Sequence, residues 1–458
     1  MAAWQMPQPG TRCIVSPRAS TIYSGSGQEV SGVNTVSGLR EPETPLFQKR
    51  LARADFLRLA GAGIGISLVP SSVASLGAKS ALGATTTDPL ITLVSIPDFL
   101  NVDVGDVRGI DRPGNLGWDP GDPNSVNSYY RAMLKVVLDQ VASENPDAVL
   151  VAGDEVNGHW GSADTDHTGI FGPLNTYEHK LEAIRNAGGL YYEQWKERFA
   201  RRGLRVYPAV GDHEIGDNPW PSGKFKYRAF GTFKDTWAHH FTADGTKYAL
   251  RPVGTPYEGT AYAVKLSPET LLITVDTFAK HDGAVHTHLT SDQLSWVRAT
   301  IEQARDGGVK HVIVQGHVSV LGPVNHQYSS NLMYEGGSSS AFWRMLKSHN
   351  VDLYLAGEAH DMTVHTDGTL VQVTHGGYVA RGISNYLVIK VYQDRIDLRL
   401  KKFSGRTLNE TRKLWQIDDR RPPWSQAIDP GPRSVGAMTI DKSTGVSVLR
   451  NRTGKFVE

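Results

Sequence analysis

Five times in this chain a short apolar run stops at a carboxylate or imidazole residue, and that recurrence restricts the fold more than any other feature. Leu90-Ile91-Thr92-Leu93-Val94-Ser95-Ile96 runs into Pro97-Asp98, and Ala148-Val149-Leu150-Val151-Ala152 into Gly153-Asp154. Residues 204–210 reach Gly211-Asp212-His213-Glu214. Later, His311-Val312-Ile313-Val314 leads to Gln315-Gly316-His317, and residues 351–356 lead to Gly357-Glu358-Ala359-His360. Amphipathic stretches with helical spacing lie between or beside these runs, at 127–144, 177–202, 291–306 and 342–348. Short strands alternating with helices describe an α/β domain whose strands are largely parallel neighbours. Ligands of such sheets bind beyond the carboxyl ends of the strands. A single Gly-Asp after a strand is usually a turn or a helix cap, but five polar ends in order, spaced like consecutive strands of one sheet, point to one shared site.

The rest of the chain supports this frame. The alternating run 260–277 reads as paired strands that begin a second sheet, and 385–403 as a hairpin turning near Gln393-Asp394. Three segments follow: a lead with an export signal over 1–88, an α/β domain carrying the five polar ends over 89–404, and a C-terminal extension or tail over 405–458, rich in Pro, Arg and Trp without clear periodicity.

Charge and cysteine usage exclude several classes. Lysine and arginine number 48 against 47 acidic residues, a net charge of +1. No global basic field exists to hold nucleic acid or a membrane surface, so no specific nucleic-acid binding is expected. The single cysteine, Cys13, excludes an internal disulfide framework and a cysteine-built zinc site. Metal ligands here must be His, Asp, Glu or Asn.

The lead has the order of an export signal: a basic stretch around Lys49, Arg50 and Arg53, an apolar run over 57–69, then small residues to Ala84. Arg53-Ala54-Asp55-Phe56-Leu57-Arg58 resembles a twin-arginine signal with Ala54 in place of the second arginine. The apolar run carries many glycines and is shorter than the about 20 residues of a membrane span, so no stable span is expected. A secreted, periplasmic or cell-envelope location follows, with the signal within 50–84. Gly61-Ala62-Gly63-Ile64-Gly65 follows no strand pattern and is not read as a nucleotide loop.

The order of the five ends resembles the calcineurin-like metallophosphoesterases, whose signature runs Asp-x-His, Gly-Asp-x-x-Asp, Gly-Asn-His-Glu or Asp, a later His, and Gly-His-x-His. The resemblance spans roughly 90–403 and includes Thr274-Val275-Asp276-Thr277 and Gln293-Leu294-Ser295-Trp296. It implies two mixed β-sheets packed face to face with flanking helices, and a binuclear metal site at strand C-terminal ends. Carried over residue by residue, Asp98, Asp154 and His360 would hold one metal, and Asp154, Asp212, His317 and Glu358 the other, with Asp154 as the bridge. His213 would be the catalytic acid, with Glu214 orienting it.

The departures shift the chemistry. Leu100 replaces a ligand histidine, Asn157 an aspartate, Asp212 the asparagine and Glu358 a histidine. Asn101 and Asp103 are candidates to supply oxygen in place of Leu100. Four carboxylates and two imidazoles favour manganese, magnesium or iron over zinc, and four negative charges balance two divalent cations. Such a pair neutralises phosphate charge and lowers the pKa of a bridging water, which implies metal-dependent hydrolysis of a phosphomonoester or phosphodiester with His213 assisting. A phosphorylated small molecule, lipid or nucleotide is the expected substrate. Leu100 motivates the alternative, a non-catalytic or one-metal member binding a ligand outside the cytoplasm. Loops 105–125, with Trp118, and 215–231, with Trp220, are the expected walls of the site. His159 and His375 are candidates for its rim, while His239, His240, His286 and His288 lack a surrounding motif and read as surface residues.

Overall fold

The computed structural model describes residues 88–99, 128–162, 170–217, 220, 222–377, 379, 383–407, 426–428 and 431–457. The expected export signal, Leu100, Asn101, Asp103 and the loop carrying Trp118 lie outside the described residues. In chain order the first elements are β1 (Ile91–Ser95), α1 (Ser128–Ser143), β2 (Ala148–Val151), α2 (Tyr177–Ala200), β3 (Val206–Pro208) and α3 (Phe225–Phe241). The middle holds β4 (Tyr262–Ser267), β5 (Thr270–Thr274), β6 (Ala279–His281), β7 (Ala284–His286), α4 (Ser291–Asp306), β8 (His311–Gln315), α5 (Ala341–Ser348) and β9 (Leu353–Ala356). Then come β10 (Thr363–Asp367), β11 (Leu370–Thr374), β12 (Ile383–Val391), β13 (Arg395–Thr407), β14 (Gln426–Ile428), β15 (Arg433–Asp441) and β16 (Val448–Gly454).

Two mixed sheets carry the fold. One has the order β16-β15-β13-β12-β1-β2-β3, with β14 beside β13, and the other β10-β11-β9-β8-β5-β4. β1, β2 and β3 are parallel, as are β5, β8, β9 and β11. β1, β2, β5, β8 and β9 are buried at every position, the pattern of parallel strands covered on both faces. Helix α4 shows the complementary pattern, burying Gln293, Val297, Thr300, Ile301 and Ala304 along one stripe.

The two sheets meet along one apolar core. Tyr262 donates its hydroxyl to the Pro208 carbonyl at 2.6 Å, and Gln315 its amide to the Tyr207 carbonyl at 2.9 Å, so β4 and β8 of one sheet are tied to β3 of the other. This divides the five polar strand ends, which do not belong to one sheet: β1, β2 and β3 bring three to the junction, and β8 and β9 bring two. Parallel strands in both sheets point their carboxyl ends at the same junction, so the ends converge although the sheets differ.

Two further departures bear on the site. Part of the expected wall at 215–231 is the opening of α3, which buries Phe230, Phe233 and Trp237. The C-terminal extension contributes β15, antiparallel to β13, and β16, antiparallel to β15, which lengthen the first sheet. In β15 only alternate residues face the core, Met438 and Ile440 among them, which is the period of a half-buried strand.

Candidate metal centre

The six side chains that sequence order singles out meet at the junction of the sheets, and all are buried. Their ligand atoms form two groups, each within 4.8 Å: Asp98, Asp154 and His360, and Asp154, Asp212, His317 and Glu358. Asp154 belongs to both. Its position follows from Gly153, which turns the chain after β2 at φ 92°; a Cβ there would lie 2.5 Å from Nδ1 of His317. Asp98 is packed as closely, since a Cβ on Gly376 would fall 1.8 Å from its Oδ2.

Backbone strain concentrates in these residues. Asp98, Asp154, Glu358 and His360 all take left-handed conformations, at φ 54°, 61°, 66° and 54°. Each costs a non-glycine residue about 1–2 kcal/mol, and such outliers mark sites where the surrounding structure enforces a geometry. Glu358 N–H donates to Oδ1 of Asp98 at 2.8 Å, so two strained residues from different sheets hold each other.

The imidazoles are aimed by backbone carbonyls. Nδ1–H of His317 donates to Ala152 O at 2.7 Å, that of His360 to Gln327 O at 2.9 Å, and that of His213 to Asn157 O at 2.7 Å. A carbonyl only accepts, so the proton is fixed on Nδ1 and Nε2 faces inward, the arrangement that orients ligand histidines. Nε2 of His317 lies 3.1 Å from Asp212, and 3.5 Å from both Asp154 and Glu358.

Packing this much charge out of water distorts every titration. Burial pushes Asp98 and Asp154 well above the usual carboxylate range, against the pull of His317. Burial and then the Asp212 charge push Glu358 up to about 7. Asp212 is held well below the usual range despite burial, because His317 and His213 favour its charged form. Burial opposes a charged His213, yet the carboxylates of Asp154, Asp212 and Asp217 outweigh it and raise the imidazole to about 10. In His360 burial wins, and the value falls to about 3. Oδ2 of Asp98 and Oδ2 of Asp154 are buried without a hydrogen-bond partner. Bare carboxylate oxygens facing inward imidazole nitrogens form a donor set that fits divalent cations.

A family model described as calcineurin-like phosphoesterase matches residues 119–362, just over half of the chain. The chain belongs to that family. Among solved structures, GAP50, the anchor in the inner membrane complex of Plasmodium, aligns at 12% identity and TM-score 0.36, covering 69% of this chain and 84% of that one. A putative 5'-nucleotidase from Staphylococcus aureus aligns at 10% identity and TM-score 0.33, covering 66% of this chain and 51% of that one. The sulfate thiohydrolase SoxB of Thermus thermophilus gives 12% and 0.31, with coverage of 68% and 55%. The chain thus spans about half the length of the latter two. A search of curated proteins gives no match. The calcineurin-like family normally binds divalent metals, and this member has a buried site of the matching composition.

In this family member Glu214 departs from its expected part. Its carboxylate bonds to backbone and not to His213: Oε2 accepts from Asp154 N–H at 2.8 Å and Gly211 N–H at 2.7 Å, and Oε1 from Glu155 N–H at 2.8 Å and Val156 N–H at 3.3 Å. Glu214 pins the loop that presents Asp154, and the Asn157 carbonyl orients His213. The sequence departure at Asn157 is therefore partly explained, because the contact uses the main chain, which any residue supplies.

Asp217 and Gln327 were not legible from motifs, and several residues that were singled out take definite places. Asp217 pairs with His159, whose ring stacks on His213 with centroids 5.9 Å apart. Gln327 accepts from His360 through its carbonyl and donates its amide to Asp361 at 2.9 Å. His375 is no rim residue: it is fully buried and bonds to Ser95 at 2.9 Å behind the site. Asp276 and Gln293 form a reciprocal clamp, Gln293 accepting from Asp276 N–H and donating to Asp276 O, both at 2.9 Å.

Proposed function

We propose that this chain hydrolyses a phosphoester bond, in a phosphomonoester or a phosphodiester, with divalent cations held by Asp98, Asp154 and His360 and by Asp154, Asp212, His317 and Glu358. The observation that carries this reading is Asp154, shared by two buried ligand groups. When bound, two cations neutralise phosphate charge and supply a hydroxide nucleophile near neutral pH. The chain's own contribution is positional and acidic. Glu214 fixes the Asp154 loop, and the Asn157 carbonyl holds Nδ1–H of His213 so that Nε2–H is presented to the leaving oxygen. Asp217, which lies outside both ligand groups, and the Asn157 carbonyl favour the protonated form of His213, as a general acid requires.

Four carboxylates against two imidazoles support manganese, magnesium or iron over zinc at this centre. The near-neutral charge of the chain supports a phosphorylated small molecule, lipid or nucleotide as substrate over a nucleic acid. The signal pattern within 50–84 supports export to the periplasm, envelope or medium. No helix among the described residues is long and apolar enough to cross a membrane.

The test is metal content together with turnover of an aryl phosphate and its diester in manganese, magnesium, iron and zinc. Protein that binds no metal, or turnover that survives Asp154→Ala, would sink the reading and leave a ligand-binding member of the family in its place. Fractionation and sequencing of the mature N-terminus test export.

A further inference from the structure

Outside this centre a second group of imidazoles converges. His281, His286 and His288 place ring nitrogens within 4.8 Å of one another. Their convergence comes from a hairpin: β6 and β7 are joined by Asp282-Gly283, both with positive φ, at 50° and 78°, as a two-residue turn of this kind requires. The register pairs His281 with Ala284 and Ala279 with His286, so both imidazoles share one face, where their rings stack 4.0 Å apart at 5°; one of the two must turn out of this stack for both lone pairs to reach one ion. His288, two residues on, has the same parity.

All three Nδ1 atoms are committed to carboxylates. His286 and His288 donate to the two oxygens of Glu335 at 3.0 and 3.1 Å, and His281 to Asp282 at 3.1 Å. Glu335 is itself set in place by its N–H bond to the Thr287 carbonyl at 2.9 Å. With protons on Nδ1, the Nε2 atoms present lone pairs. Nε2 of His281 and Nε2 of His288 face each other at 3.1 Å, and Nε2 of His286 is buried with no hydrogen-bond partner. Lone pairs so disposed repel unless a cation or a proton lies among them. Tetrahedral zinc, with Zn–N about 2.0–2.1 Å, separates its nitrogen ligands by about 3.3 Å, close to the 3.1 Å between Nε2 of His281 and Nε2 of His288. A carboxylate behind each ligand imidazole is the arrangement that fixes tautomer and raises basicity at zinc sites.

We propose that His281, His286 and His288 form a separate mononuclear site for a borderline transition-metal ion of the zinc, nickel or copper class, with Glu335 and Asp282 as the orienting carboxylates. Imidazole-only ligation selects these ions over manganese and magnesium. The segment that carries Glu335 also caps the main centre, because Leu332 N–H donates to Oε1 of Glu358 at 3.1 Å. An ion here therefore fastens the β6–β7 hairpin to the segment beside Glu358.

The test uses the full chain and zinc chloride, with metal content measured after equilibrium dialysis. The His281→Ala/His288→Ala double variant should hold one zinc fewer than the wild type, and Glu335→Gln should bind that zinc about 10–100-fold more weakly. Manganese-dependent turnover of the double variant should stay within about twofold of wild type, because none of these residues belongs to the main centre. Equal zinc content in wild type and double variant would overturn the proposal. Should the double variant not fold, X-ray absorption of zinc in the Asp154→Ala chain decides, since that background leaves the histidine site intact. A shell of three nitrogens at about 2.0 Å supports the site, and a six-oxygen shell or no bound zinc overturns it.

Discussion

The buried centre and the histidine site on the β6–β7 hairpin solve one problem with opposite means. In the centre, charge is gathered first and geometry is forced upon it: four carboxylates leave water, and four of the six ligand candidates take left-handed backbone. On the hairpin the backbone is ordinary apart from its turn, the imidazoles keep partial exposure, and the carboxylates stand behind the ligands. The first arrangement suits hard cations that must meet a charged substrate, and the second suits an ion retained by nitrogen. What differs is where the negative charge sits relative to the ion.

The comparison can be broken most decisively at Asp154, the residue common to both ligand groups of the centre. Asp154→Ala should lower kcat/KM by about 10⁴-fold, equivalent to about 5 kcal/mol of transition-state stabilisation, and should lower manganese content while zinc on the hairpin persists. Loss of zinc as well would overturn the separate histidine site. His213→Gln should cost about 10²-fold in kcat with manganese content unchanged; a parallel loss of metal would make His213 a ligand instead of an acid.

Glu214→Ala sharpens the contrast in how the two regions are held. It strips the acceptor from four backbone N–H groups, and calorimetry should show a loss of about 3 kcal/mol, together with weaker manganese binding. Zinc on the hairpin, whose imidazole ligands are oriented by side-chain carboxylates, should be unaffected.

At neutral pH the smallest effect is expected from His375, and it appears only as pH falls. Burial depresses this imidazole from 6.5 to about 3. Its contribution to stability is therefore present above pH 6.5 and is lost as pH falls from there towards 3, because the unfolded chain takes up a proton that the native state refuses. The slope is at most about 1.4 kcal/mol per pH unit. His375→Gln should flatten the acid side of the Tm profile over that range; an unchanged profile would place the acid sensitivity elsewhere in the buried core.

The convergence of the candidate ligands could be read from sequence because each follows a parallel strand, and such strands announce themselves as apolar runs. Helix α4 begins and ends at the expected 291 and 306, and the 385–403 hairpin lies within β12 and β13. The histidine site was invisible for the opposite reason. Its three imidazoles follow no apolar run, and the carboxylate that orders two of them lies 47 and 49 residues away. Glu214 was misassigned because proximity in sequence suggested His213 as its partner, whereas its bonds reach backbone 58–60 residues distant and at Gly211. β15 was hidden by weak alternation, with glycine and alanine among its positions.

The first sheet also sets a timetable. Strand β1 lies between β2, which follows it closely in the chain, and β12, whose residues come about 300 positions later, as in the pairing of Ile91 with Val391. A ribosome working from the N-terminus can offer β1 only one partner until most of the polypeptide exists. For that interval an apolar strand keeps a bare edge, the condition that invites pairing with other chains. Asp98 waits for the same event, because Gly376 and Glu358, which close around it, are also late to emerge. The centre can therefore take shape only near the end of synthesis, and yield at low chaperone capacity should depend on how long β1 stands unpaired.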